Sequence, residues 1–293
     1  LNPDVIHAHS AKGGVIARIA SVFFKIKVLY TPHAFSYLSA KNKFKRFLFL
    51  TVEKILRTKN TIILATSNSE KNQSIHIVGY AKEKVFVLEN AIDNNTIGED
   101  KNLEKTLKGK TYICTVGRPS FQKNLEMLIK AFEAVAQNNS KVHLFIIGAG
   151  EYSPRKDKII QMINKRNLNN RITILPWISR KQVQTYIKNA KIYVSSSRYE
   201  GMPYSVIESM ALSRPSVLTN TDGNRDLVID KKSGFLVEVG DDLEMANKIT
   251  TLLNDNKLSN SFALQAKKLF IKNHLLSDYL QKLTIHYQKI IKK

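Results

Sequence analysis

The chain has 293 residues, 43% of them hydrophobic, which is enough for one large or two modest cores. No run approaches the roughly 18 apolar residues of a membrane-crossing helix, and no signal-peptide pattern opens the sequence. Cys114 is the only cysteine, so an intrachain disulfide is excluded and a cytoplasmic location is expected. Lys and Arg number 46 against 24 Asp and Glu, a net charge of +22 spread along the chain. Such a field predicts an anionic partner: nucleic acid, an anionic membrane or a phosphorylated substrate. No zinc-finger spacing, RNP-type aromatic motif or recognition-helix pattern is present, which sets nucleic acid aside.

The opening reads as a strand already inside a fold. Leu1-Asn2-Pro3-Asp4 leads at once into a strand at Val5-Ile6-His7, without the Gly-rich turn that opens a doubly wound domain. His7-Ala8-His9-Ser10 falls at the carboxyl end of that strand, and Lys12-Gly13-Gly14 starts a helix reaching about Phe24. His-x-His can ligate a metal, but no Cys or carboxylate cluster accompanies it, so a cleft position is the better reading. A second strand, 27–30, ends in Thr31-Pro32-His33-Ala34-Phe35, with His33 where open α/β sheets hold ligands. A basic, aromatic helix is predicted from Lys41 to about Thr58. It fits either a helix lying on an anionic membrane or a core-facing helix with a solvated basic face. Residues 61–66 and 85–88 read as strands, with Ser67-Asn68-Ser69 capping a helix between them. The polar stretch 94–108 reads as an interdomain linker.

A second unit opens with a strand at 110–116. It runs into the turn Val116-Gly117-Arg118-Pro119-Ser120-Phe121-Gln122-Lys123-Asn124 and an amphipathic helix carrying Leu125, Leu128, Ile129 and Phe132. Arg118 offers forked contacts and Lys123 a point charge, a pair that suits a diphosphate; two surface cations of a basic chain would read the same way. Strands follow at 142–147, before Gly148-Ala149-Gly150, and at 172–175, before Pro176-Trp177-Ile178. The central stretch is 195–215. A buried strand, Ile192-Tyr193-Val194, precedes it, Gly201 gives the turn its freedom, and Pro203 suits a first helical residue. The helix 204–212 then starts with free N–H groups directed at the turn, a place for an anion. Glu200 and Glu208 bracket it. Beside a phosphate, each carboxylate is expected to face hydroxyl groups, so the predicted ligand is a diphosphate between hydroxylated rings, a nucleotide-sugar. An ordinary strand-turn-helix with one solvated and one capping Glu is the other reading. Further strands are predicted at 216–219 and 234–237, a cap at Asp241-Asp242, and helix over 262–293. No Asp-x-Asp motif appears, which argues against a divalent cation carrying the diphosphate.

Four motifs make a pattern: Glu200-Gly201-Met202-Pro203 with Glu208-Ser209-Met210-Ala211, Gly117-Arg118 with Gln122-Lys123-Asn124, residues 3–14, and Tyr30-Thr31-Pro32-His33-Ala34-Phe35. Together they resemble family 4 retaining glycosyltransferases over nearly the whole chain. The resemblance implies an α/β GT-B fold of two Rossmann-like domains facing a cleft, the first incomplete by about 60–100 residues. It implies domains at 1–94 and 109–270, with a terminal helix at 271–293 returning to the first. The implied reaction is metal-free, retaining transfer of a hexosyl group from a nucleoside-diphosphate sugar, taken as a UDP-sugar. The acceptor would be a saccharide or a polyprenyl-linked sugar of bacterial surface-polysaccharide assembly, met at the inner face of the plasma membrane. No further cofactor is implied.

The same resemblance distributes roles. Arg118 and Lys123 would hold the diphosphate, Gly117 and the turn Gly201-Met202-Pro203 would meet sugar and phosphate, and Ile178 would lie in the base-contacting turn. Glu208 would hold the ribose and Glu200 the transferred sugar, with His33 contributing from the opposite domain. His33, Arg118, Lys123 and Glu200 are thus the expected catalytic group, and His9, Ser10 and Lys12 the acceptor side. Ala91 and Asp226 stand where the family usually has Gly and Glu. Trp177 reads either as a base contact or as packing. A donor-binding protein without turnover and a GT-B-like epimerase are the competing functions.

Overall fold

The computed structural model describes residues 3–40 and 42–291; Leu1, Asn2, Lys41, Lys292 and Lys293, at the predicted chain opening, helix start and chain end, lie outside the described residues. The first unit is built from β1 (Val5–His9), α1 (Ser10–Phe24), β2 (Lys27–Thr31), α2 (Lys43–Ile55), β3 (Thr61–Ala65), α3 (Asn68–Gln73) and β4 (Val85–Val87). Its four strands are parallel in the order β1-β2-β3-β4. β2 and β3 are buried along almost their whole length, as expected of continuous apolar strands covered on both faces. Arg18 of α1 and Glu53 of α2 form a fully buried pair, Nη1 to Oε2 2.8 Å, over the Tyr30 ring, and the Tyr30 hydroxyl donates to Glu53 Oε1 at 3.2 Å.

The second unit comprises α4 (Lys101–Leu107), β5 (Tyr112–Val116), α5 (Leu125–Asn138), β6 (His143–Ile147), α6 (Lys156–Lys165), β7 (Ile172–Leu175), α7 (Arg180–Asn189), β8 (Ile192–Ser195), α8 (Tyr204–Ala211), β9 (Ser216–Thr219), α9 (Asn224–Leu227), β10 (Phe235–Val237), α10 (Asp242–Asn254) and α11 (Asn256–Asn273). Its parallel sheet runs β10-β9-β8-β5-β6-β7. The chain therefore reverses its winding between β5 and β8, and the loops leaving those two strands diverge. A crevice opens at such a switch point, at the carboxyl ends of the strands. The loop after β5 carries Gly117 to Asn124, and the loop after β8 carries Glu200 to Pro203.

The stretch read as a linker is different in the structure. Ile97, Leu103 and Leu107 pack against the core formed with Tyr112 and Ile187, and Asp100 caps α4 while its own N–H donates to Thr185 Oγ1 at 2.8 Å. Apolar residues at 103 and 107 alone gave too short a pattern to show this docking. Pro203 differs by one position: it is the cap of α8, with φ −73° and ψ 122°, rather than its first helical residue.

After α11 the chain crosses back. Ile92 donates to His274 O at 3.1 Å and accepts from Leu276 N at 3.1 Å. α12 (Leu276–Ile291) then packs Tyr279, Leu283, Tyr287 and Ile290 against Leu29, Leu64 and Leu88 of the first unit. Among the described residues no helix is long and apolar enough to cross a membrane.

Candidate active site

The loop after β5 grips the loop after β8. Glu200 is 6% exposed, and each of its oxygens has one partner and a second lone pair to offer: Lys123 Nζ lies 2.7 Å from Oε1, and Gln122 Nε2 donates to Oε2 at 3.2 Å. The aliphatic stem of Lys123 runs across Gly117, where an added Cβ would meet the Lys123 Cε at 2.8 Å. Gly117, at φ 153°, also holds a backbone conformation that favours glycine. Arg118, by contrast, is exposed and lines a cavity of about 390 Å³ with Gly150, Glu151, Tyr152, Ser153, Pro176 and Trp177. Trp177 is 77% exposed, so it is not core packing. Its Nε1 donates to Gly148 O at 3.1 Å and the ring lies over Gly150, walling the cavity beside the carboxyl ends of β5, β6 and β7.

Glu208, on α8, is largely buried and meets Arg180 Nε at 3.3 Å. Burial pushes its carboxyl above the usual range, and Arg180 opposes the shift. Met202 and Pro203 are buried. The Met202 carbonyl accepts from Asn90 Nδ2 at 2.8 Å and its sulfur from Asn90 N at 3.2 Å, so this residue ties the turn to the first unit. The Ile178 side chain packs on the core around Tyr112 and Val206.

Across the cleft, His33 and Ala34 occupy the left-handed region at φ 54° and 74°. A Cβ on Gly201 would stand 2.9 Å from Ala34 N and 3.0 Å from His33 C. Only glycine allows the two units to approach here. Gly223, at φ 78°, packs in turn on Gly201 O, where a Cβ would come within 2.3 Å. Asp226 accepts from Ser69 N at 3.3 Å and Gly223 N at 3.3 Å, and Asp222 accepts from Gln73. The carboxylates at 222 and 226 thus fasten the second unit to α3.

His33 Nε2 lies 2.9 Å from His9 Nδ1, and the rings stack at 5.1 Å. That bond leaves Nδ1 of His33 as the nitrogen available to a ligand. Burial and the neighbouring His9 hold His33 below the ordinary imidazole range, so the neutral ring is favoured. His7 continues the column, bonding Thr31 Oγ1 at 3.0 Å and the Tyr287 hydroxyl at 2.8 Å. Ser10, at φ 62°, and Lys12 are exposed at the start of α1.

The structure therefore brings Lys123, Glu200, Gly201 and His33 to one cleft, sets Arg118 at the adjoining cavity and Glu208 on the helix behind. Sequence reasoning missed Asn90, Asp222 and above all Glu70. Ser67-x-x-Glu70 has capping-box spacing, which would send the Glu70 carboxylate back to Ser67 N. It goes elsewhere: Oε1 accepts from Ala34 N at 2.7 Å, and Oε2 from Thr66 N at 2.6 Å and Thr66 Oγ1 at 3.0 Å.

Comparison with known proteins agrees with this geometry. The profile of glycosyl transferases group 1 matches residues 97–269, and that of Glycosyltransferase Family 4 matches residues 1–96. The chain is 26% identical, over 87% of its length and 68% of the relative's, to a UDP-Gal:alpha-D-GlcNAc-diphosphoundecaprenol alpha-1,3-galactosyltransferase of Escherichia coli. It is 27% identical, over 91% and 71%, to the capsular polysaccharide biosynthesis glycosyltransferase CapM of Staphylococcus aureus. Among solved structures, HepE of Anabaena in complex with UDP-glucose superposes with a TM-score of 0.86 at 20% identity, covering 98% of this chain and 79% of that one. Two parallel α/β units meeting at the Gly201–His33 contact are the GT-B arrangement, and with 97–269 matched by one family and 1–96 by its companion, the chain belongs to the group 1, family 4 glycosyltransferases.

Proposed function

We propose that this glycosyltransferase moves a hexosyl group from a nucleoside-diphosphate sugar, with UDP as the preferred nucleotide, to a saccharide or polyprenyl-linked acceptor, retaining the anomeric configuration and using no metal. The observation that carries the reading is the Lys123–Glu200 pair at 2.7 Å, set at the switch point and facing the His33–Ala34 turn through Gly201. Lys123 and the N–H groups at the start of α8 offer positive potential for a diphosphate, and Arg118 offers a second cation beside the Trp177 cavity for the base. Glu200 accepts hydrogen bonds from the transferred sugar, and Glu208 from the ribose. A UDP-sugar donor is supported by the UDP-Gal named as donor of the Escherichia coli relative and by UDP-glucose in the HepE structure; the diphosphoundecaprenol acceptor of the former supports a lipid-linked acceptor here.

In the reaction the bond from the anomeric carbon to the leaving phosphate oxygen breaks, and the acceptor oxygen bonds that carbon on the same face. The acceptor proton passes to the departing phosphate oxygen. Lys123 and Arg118 stabilise the charge that develops on the diphosphate. The acceptor side is proposed to lie at His9, Ser10 and Lys12.

α2 supplies the contact with an anionic membrane surface on the cytoplasmic side. Residues 43–48 at its start are exposed and interleave Phe44, 75% exposed, and Phe47, 68% exposed, with Lys43, Lys45 and Arg46. Thermal stability against a panel of UDP-, GDP- and ADP-sugars tests the donor. A ligand at 100 times its dissociation constant adds about 2.7 kcal/mol. A shift with UDP-sugars alone, lost in Lys123→Ala and Glu208→Ala, is expected. Product NMR with a lipid-linked acceptor then reads the anomeric configuration; donor-dependent stabilisation with no product would favour a binding protein, and donor converted without acceptor an epimerase.

A further inference from the structure

Two consecutive left-handed residues, neither of them glycine, form the cleft edge at His33 and Ala34. Backbone of this kind persists only when its surroundings hold it. The hold is the carboxylate of Glu70, 3% exposed, which takes the Ala34 N–H on one oxygen and Thr66 N–H and hydroxyl on the other. It thereby fastens the turn after β2 to the turn after β3. Glu70 is itself fixed, since its N–H donates to Ser67 Oγ at 3.1 Å and its carbonyl accepts from Ser74 Oγ at 2.8 Å. The same short helix touches the second unit through Ser69 with Asp226 and Gln73 with Asp222. Ala34 N, the atom Glu70 holds, is also the atom nearest the missing Cβ of Gly201.

We propose that Glu70 is a positioning residue for sugar transfer: by holding the Ala34 N–H it fixes the His33 backbone against the Gly201 turn and aims the His33 imidazole into the closed cleft. The proposal rests on the transferase reading above. Burial pushes the Glu70 carboxyl above the usual range, and the bonds from Thr66 and Ala34 oppose the shift; those three donors around its two oxygens fix its place. A carboxamide in its place has one acceptor oxygen and so keeps one oxygen's bonds while turning an N–H₂ toward the other donor.

Glu70→Gln tests this together with His33→Ala and the double variant. Donor affinity, read by thermal shift or titration, is expected to stay within about twofold, because the donor groups lie on the second unit. The kcat is expected to fall about 10- to 100-fold, the penalty for a misplaced reacting group. In the His33→Ala background the same substitution should change kcat by less than about twofold, because both act through one imidazole. Hydrogen exchange at the Ala34 amide should quicken in Glu70→Gln, a readout that needs no activity. A kcat unchanged in Glu70→Gln, or losses that multiply in the double variant, overturns the proposal while leaving the transferase reading intact. A wild-type chain that neither binds a donor nor transfers sugar overturns both.

Discussion

At the scale of single residues, the site depends on atoms that are absent as much as on those present. Gly201→Ala would drive a methyl group to within 2.9 Å of Ala34 N, against the backbone of His33 and Ala34, which cannot move aside as a flexible side chain would. The expected result is a cleft held slightly open: donor affinity changed little, turnover lowered at least tenfold, and stability lowered by about 1–3 kcal/mol. Steady-state kinetics and a urea titration on the same variant check it. Lys123→Ala has a different signature. It removes the diphosphate cation and leaves buried Glu200 without its ion pair, so kcat/KM is expected to fall about 100-fold or more. His7 makes a pH prediction. Burial first, then His9 and His33, lower it to about 4, against 6.5 for an ordinary imidazole. Between those values the unfolded chain binds more protons than the folded one, so stability rises with pH across the window and is lost as pH falls from about 6.5 toward 4. Thermal melts of His7→Asn over this range should show a shallower slope than the native chain.

At the scale of elements, the alternation of strands and helices was legible because apolar runs of four or five residues lie between capped helices. Helix starts are legible at Ser67 and Asp241, and both side chains accept the cap bond. The motifs also pointed to Lys123 and Glu200, but not to each other, since their 2.7 Å contact is made by a sheet that places β5 beside β8. What sequence patterns could not carry was the partnership between elements far apart in the chain. Arg18 and Glu53 lie on separate helices with no pattern that links them; the structure pairs and buries both against Tyr30, with Gly14 of α1 leaving room for the ring. Removing one partner strands the other charge in the core. Glu53→Ala is expected to cost about 3–5 kcal/mol, measured by denaturant unfolding, whereas joint replacement of both by apolar residues should recover much of that loss.

At the scale of the whole molecule, the described residues join the units through two sets of contacts. One is the cleft contact through Gly201, Asn90, Asp222 and Asp226; the other is α12, which leaves the second unit and seals the first sheet with Ile290, 4% exposed, against Leu29, Leu64 and Leu88. Because α12 covers apolar surface that the first unit cannot cover itself, the first unit's stability depends on a segment anchored in the second. A donor that binds the second unit therefore stabilises both for as long as this clasp holds. Ile290→Ala changes no cleft side chain and loosens the clasp, at a cost of about 2–5 kcal/mol to the first unit. In calorimetry the native chain should melt in one transition that a nucleotide-sugar shifts upward as a whole. The variant should melt in two, the earlier one indifferent to donor and the later one still shifted. A single, donor-shifted transition in both proteins would mean that the cleft contact alone couples the units, and that α12 serves the first sheet merely as cover.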